Sequence, residues 1–152
     1  MRIESLYRTY LKKVKDLIGT DATTTTTQLL TIGKQLFGNN FIGVYPADTF
    51  VKEISKRMEK GDIAVVNIDN SNGTGIHWVL AIKDGGVNQF LFYDSYGKNV
   101  KTYNDYFNEL KIKQDTKDKE QNYGSQFRDC GQRTLASAMV YNKLGKGAFL
   151  KI

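Results

Sequence analysis

The sequence predicts an α+β domain, helices around a small, mainly antiparallel sheet, and three observations predict it. Apolar residues recur at helical spacing through much of the first sixty positions. Three short runs rich in β-branched and aromatic residues follow between positions 63 and 94, separated by turns of Gly, Asn and Asp. A last helical pattern opens at Cys130. Helices grouped ahead of hairpin-linked strands argue against the strand–helix alternation of a wound parallel sheet.

Residues 2–18 predict the first helix. Leu6, Tyr10, Leu11, Val14, Leu17 and Ile18 share helical spacing, while Arg8, Lys12, Lys13 and Lys15 interrupt the unbroken apolar region that a secretory signal needs. The pattern predicts an amphipathic helix packed on the domain, with a membrane-surface or partner helix as the alternative. The threonine run Thr23–Thr27 ends a loop and caps a second helix through Gln28–Phe37, which Gly38-Asn39-Asn40 stops. Phe41–Tyr45 is a short extended piece, Pro46–Asp48 a turn, and 49–60 a third helix stopped at Lys60-Gly61. Ile63–Ile68, Ile76–Ile82 and Gln89–Asp94 are strands, joined by turns at Asp69–Gly73 and Lys83–Gly86 into an antiparallel meander. Residues 103–110 read as a brief helix, 111–120 as a solvated connection, and Cys130 to about Lys143 as the final helix.

Composition narrows the chemistry. A chain of 152 residues, 40% hydrophobic, makes one domain over 1–152 with a core of its own. No stretch approaches the ~20 apolar residues of a membrane span. One cysteine and one histidine exclude an internal disulfide, which fits synthesis in a reducing compartment, and a closed four-ligand Cys/His zinc site. Any thiol–imidazole chemistry must therefore pair Cys130 with His77. The net charge of +6 suits solubility or an acidic partner such as nucleic acid, but the basic residues are spread out and form no recognised nucleic-acid motif.

Cys130 sits where a helix begins. Asp129-Cys130-Gly131-Gln132 fits a capping box, with Asp129 as cap and Gln132 three residues on. Backbone N–H groups and the helix dipole favour a negative sulfur there. Gly131 removes bulk beside it, and Thr134 to Met139 are small and apolar enough to lie against a sheet. His77 falls near the start of a strand and Asp94 closes the next one. If these strands pair through the Lys83–Gly86 turn, Asp94 falls opposite His77 and can orient its ring. Each residue alone also has a plain structural reading: an inert buried thiol, a structural histidine, a turn-forming aspartate. Together they point to nucleophilic catalysis by Cys–His–Asp. Trp78 either walls the cleft or fills the core. An oxyanion hole needs two donors: the Cys130 N–H is one, and a neutral amide from Gln121, Asn122 or Gln126 is the other.

These segments resemble the adenain-like (adenovirus-type) and Ulp1-like cysteine proteases. Gly75-Ile76-His77-Trp78, then Phe92-Tyr93-Asp94-Ser95-Tyr96-Gly97, then Gln121 to Gly131 follow that family's order. The stretch Leu36 to Tyr45 looks like the proteases of virophages and Polinton-type elements. The motifs span 75–140, with a weaker match from about 28. The resemblance implies a papain-like/adenain-like fold with the nucleophile at the N-terminus of a buried helix. It also implies Gln121 as the oxyanion glutamine, although Gln121 stands nine residues before Cys130, further than the family's usual spacing, and Gln126 stands four before it as the rival. The implied function is an endopeptidase that processes capsid or scaffold proteins during virion maturation, without a cofactor or a membrane. DNA or a peptide would be its activator, the virus factory in the host cytoplasm its place of action, and the virion a place where it is packaged. Three alternatives stay open: a ubiquitin-like-modifier protease, an acyltransferase with the same triad, and a basic, non-enzymatic virion protein that binds nucleic acid.

Overall fold

A computed structural model describes residues 2–20, 22–69, 77–117 and 128–152. The chain folds as α+β. Helix α1 (Ile3–Ile18) buries the stripe Tyr7, Leu11 and Val14, and ends at Gly19, whose left-handed backbone (φ 85°) returns its N–H to the Lys15 carbonyl. Helix α2 (Thr26–Phe37) starts as the threonine run predicts. The Thr25 hydroxyl accepts from the Gln28 N–H at 3.1 Å, and Gln28 Oε1 accepts from the Thr25 N–H at 2.9 Å, a complete capping box.

Among the described residues five strands form one sheet in the order β1 (Phe41–Pro46), β2 (Ile63–Asn67), β3 (Trp78–Lys83), β4 (Gln89–Tyr93), β5 (Lys111–Gln114). The expected meander is its centre: β2–β3 and β3–β4 are antiparallel. The two outer strands are parallel to their neighbours, so the sheet is mixed rather than mainly antiparallel. Between β1 and β2 the chain turns through helix α3 (Ala47–Thr49), a π turn (Phe50–Ile54) and a 3₁₀ turn (Ser55–Arg57), in place of the regular helix expected over 49–60. Strand β5 corrects the reading of 111–120 as a solvated connection. It is a Lys-Ile-Lys-Gln edge whose lysines face solvent, a composition that blunts edge-to-edge pairing. The brief helix near 103–110 is a 3₁₀ turn over Asp105–Glu109, capped by Asn104. The first part of the expected Ile76–Ile82 strand, and most of the turn before it, lie outside the described residues.

The central strands are buried on both faces, which is why they read as near-continuous apolar runs. Val65, Leu80, Ile82 and Leu91 pack with α1, α2, α4 (Cys130–Leu144) and the short α5 (Lys146–Phe149). Ala64, Val66, Val79, Ala81, Phe90 and Phe92 pack with Phe50, Val51, Val100 and Phe107 on the other side. Helix α4 is buried from Cys130 to Val140, and its buried hydroxyls bond within the helix. Thr134 donates to the Cys130 carbonyl at 2.7 Å, and Ser137 to the Thr134 carbonyl at 2.7 Å.

Helix α2 reaches β1 through Gly33, where a Cβ would lie 2.3 Å from the Phe41 ring. Alanine there would gain about 0.5–1 kcal/mol of helix propensity but overpack a site whose strain costs about 1–3 kcal/mol. Gly33→Ala is therefore expected to destabilise the fold by about 1–2 kcal/mol, read as a lower urea midpoint at unchanged slope.

Candidate active site

Antiparallel pairing of β3 and β4 brings the start of one and the end of the other to the same rim of the sheet. His77 immediately precedes β3, and its carbonyl accepts from the Ile68 N–H at 3.1 Å, which extends the β2–β3 ladder to it. Asp94 immediately follows β4 in a turn closed by Gly97 N–H to the Asp94 carbonyl at 2.9 Å. The register sets Leu80 against Tyr93, and its continuation sets Asp94 against Val79 rather than His77. The sequence expectation is thus off by two residues. The connection is longer than the Lys83–Gly86 turn: Lys83 already pairs Phe90, and the Asp84 N–H bonds the Gln89 carbonyl. Because side chains alternate with period two, the slip leaves both residues on one face.

His77 Nε2 lies 2.5 Å from Asp94 Oδ1. Asp94 is fully buried, and four donors surround its carboxylate. Oδ1 also accepts from the Tyr96 N–H at 3.2 Å, and Oδ2 accepts from the Lys98 N–H at 3.0 Å and the Tyr103 hydroxyl at 2.6 Å. Tyr96 and Tyr103 place their rings 4.6 and 5.6 Å from the imidazole. Sequence reasoning missed both. Tyr96 stood inside a quoted motif without a role, and nothing in the spacing of nine tyrosines singles out Tyr103. Burial, and then the bond to Asp94, push the Tyr103 hydroxyl far above its ordinary range, so it remains a donor.

Cys130 opens α4 against the same rim. The first turn of the helix meets β3 where the Thr134 hydroxyl reaches the Trp78 carbonyl at 3.5 Å. The Cys130 sulfur is close enough to the His77 ring to act on it electrostatically. With Nε2 taken by Asp94, Nδ1 is the nitrogen left for the sulfur. Nδ1 is buried and has no hydrogen-bond partner among the described residues. Trp78 is packed in the core beside Cys130.

The capping box expected at Asp129 and Gln132 does not form. Asp129 makes no side-chain cap; its carboxylate sits 2.8 Å from Arg133 Nε and 2.9 Å from Lys15 Nζ. Gln132 instead donates to the Thr20 and Ala22 carbonyls at 3.0 and 2.8 Å. Stronger partners outcompete the cap, because two cations bind a carboxylate better than an amide N–H does. The N–H groups of the first turn are thereby left without an acceptor from Asp129. Gly131 is required for packing: a Cβ there would meet Thr24 Oγ1 at 2.2 Å. The oxyanion candidates Gln121, Asn122 and Gln126 lie outside the described residues.

The chain matches no protein-family model, and no curated protein matches it.

Burial alone would lower the His77 pKa, but the bond to Asp94 and then the interaction with Cys130 outweigh it and push it up to about 9. This exceeds the ~6.5 of an unfolded histidine, so the ring's contribution to stability is complete below pH ~6.5. That contribution is lost as the pH rises through about 9. As the chain has one histidine, an NMR titration reads this group directly. The native ring is expected to titrate near 9, and Asp94→Asn to lower that by roughly one unit or more. A native value at or below ~6.5 would contradict the geometry.

Proposed function

We propose that the chain is a thiol-dependent cysteine endopeptidase that trims capsid or scaffold proteins during virion assembly. One observation carries the reading: the only sulfhydryl, at the start of a buried helix, lies within electrostatic reach of the only imidazole, whose Nε2 is held by a fully buried carboxylate. An inert thiol and a merely structural histidine would have no reason to come together at a sheet rim.

In this reading His77 takes the Cys130 proton on Nδ1 while Nε2–H stays on Asp94. The sulfur attacks the scissile carbonyl carbon. The oxyanion accepts hydrogen bonds from the Cys130 N–H and from a side-chain amide, Gln121 or its rival Gln126, each worth about 3 kcal/mol. The C–N bond breaks as His77 protonates the departing amine. His77 then deprotonates water, which releases the acyl group and restores the thiol. Tyr96 and Tyr103 restrict the ring, and Tyr103 with the two backbone amides keeps Asp94 an acceptor toward His77.

The substrate class rests on the likeness of the His-Trp, Tyr-Asp-Ser-Tyr-Gly and Cys-Gly segments to adenain-like proteases. The positive balance of +6 suits a DNA or acidic peptide activator at the assembly site. Incubation with the major capsid protein, with and without DNA, and with a ubiquitin-like fusion in parallel, tests the proposal. Cleavage of the capsid protein is expected, with Cys130→Ala and His77→Ala slower by at least about 10³-fold. Full-speed processing by Cys130→Ala would refute it, and cleavage of the fusion alone would reassign the substrate.

A further inference from the structure

We infer that Arg133 is a positioning residue: it ties the residue before Cys130 to the residue before Asp94, and thereby fixes the sulfur against the imidazole. The inference rests on reading Cys130, His77 and Asp94 as a triad, and deepens it.

The observations form one chain of polar contacts behind the site. Asp129, directly before Cys130, is 0% exposed and holds Arg133 Nε at 2.8 Å and Lys15 Nζ at 2.9 Å. Arg133 is itself buried, and its charge acts on the hydroxyls of both Tyr7 and Tyr93. The Tyr7 and Tyr93 hydroxyls lie 2.8 Å apart, and Tyr93 directly precedes Asp94. Lys15 and Tyr7 both belong to α1, two turns apart. One helix therefore braces both halves of the site: Lys15 holds the start of α4, Tyr7 holds the end of β4, and Arg133 joins the two.

Stability does not account for such a network. Buried ion pairs are often no more stabilising than apolar groups of the same volume, because desolvation offsets their attraction. What apolar packing lacks is direction, and a buried, connected network specifies one arrangement. The site needs that, since a displacement of about 1 Å between reacting groups costs on the order of 10²-fold in rate. Among the described residues, the charged or titratable groups around Cys130 are His77, Asp94, Tyr96 and Tyr103 from the sheet rim and the segment after it, Asp129 just before α4, Arg133 from α4, and Lys15 from α1. A useful variant must therefore separate geometry from charge.

Two variants do so. Tyr7→Phe leaves every charge in place and cuts the link to Tyr93 and Arg133. Asp129→Leu with Arg133→Met removes the pair without leaving an unpaired buried charge, and Lys15, the most exposed member, turns to solvent. The readout is the rate of Cys130 alkylation by iodoacetamide from pH 5 to 9 in the full chain, with the melting temperature recorded for each protein. The native chain is expected to show an acid-side plateau, reacting at pH 6 faster than a free thiol by about tenfold or more. The double variant is expected to lose that plateau by about tenfold, and Tyr7→Phe by about threefold, while both remain folded. A native chain that alkylates like an ordinary thiol, with a single rise near pH ~8.5, would overturn the triad reading itself. A native plateau that Tyr7→Phe and the folded double variant both keep within about twofold would overturn the positioning role alone. Should the double variant fail to fold, Tyr7→Phe, which removes a single oxygen, decides.

Discussion

The structure is organised around a carboxylate that water cannot reach. Asp94 is fully buried, and an unpaired charge in that position would cost several kcal/mol. Every group near it answers that cost: an imidazole, a phenol and two backbone amides. The turn at Gly97, the segment carrying Tyr103 and the start of β3 converge on Asp94 to satisfy it, and in doing so they orient His77. The imidazole is consequently held in one orientation, with Nε2 toward Asp94.

The two apolar layers have a complementary task. One face of the sheet is sealed by Phe50, Phe107 and their neighbours, and the other by α1, α2 and α4. Helix α4 is thus an interior helix whose first residue emerges at the rim. Its internal hydroxyls bond to carbonyls one turn back, so it can be buried without orphaned groups along that stretch. Buried polar atoms gather at its start instead, where Asp129, Gln132, Thr24 and Arg133 meet helix α1 and the loop after it.

Much of this was legible in the sequence where periodicity or chain punctuation carried it. Helices α1, α2 and α4 and the three central strands follow their apolar patterns, and the Thr25 cap followed from the threonine run. Where the reading failed, tertiary partners overrode local signals. Strand β5 has a single inward apolar residue, Ile112, too little for a pattern, and exists because β4 offers it a free edge. Asp129 abandoned its cap for Arg133 and Lys15, a choice only the approach of α1 makes available. The acidic partner of His77 was legible because both residues bracket a hairpin. The tyrosines around the ring were not, since a phenol nine residues beyond Asp94 is placed by the turn geometry and not by spacing.

The packing of α1 on α4 has a consequence for biosynthesis. The hairpin that aligns His77 with Asp94 is local, and can form while the ribosome is still translating the remainder. The sulfur-bearing helix is different: its principal helical neighbour lies more than a hundred residues upstream, so the two can meet only once all the residues between them have emerged. Nascent fragments that stop short of α4 therefore hold imidazole and carboxylate in register without the sulfur, which joins them only when α4 docks on α1.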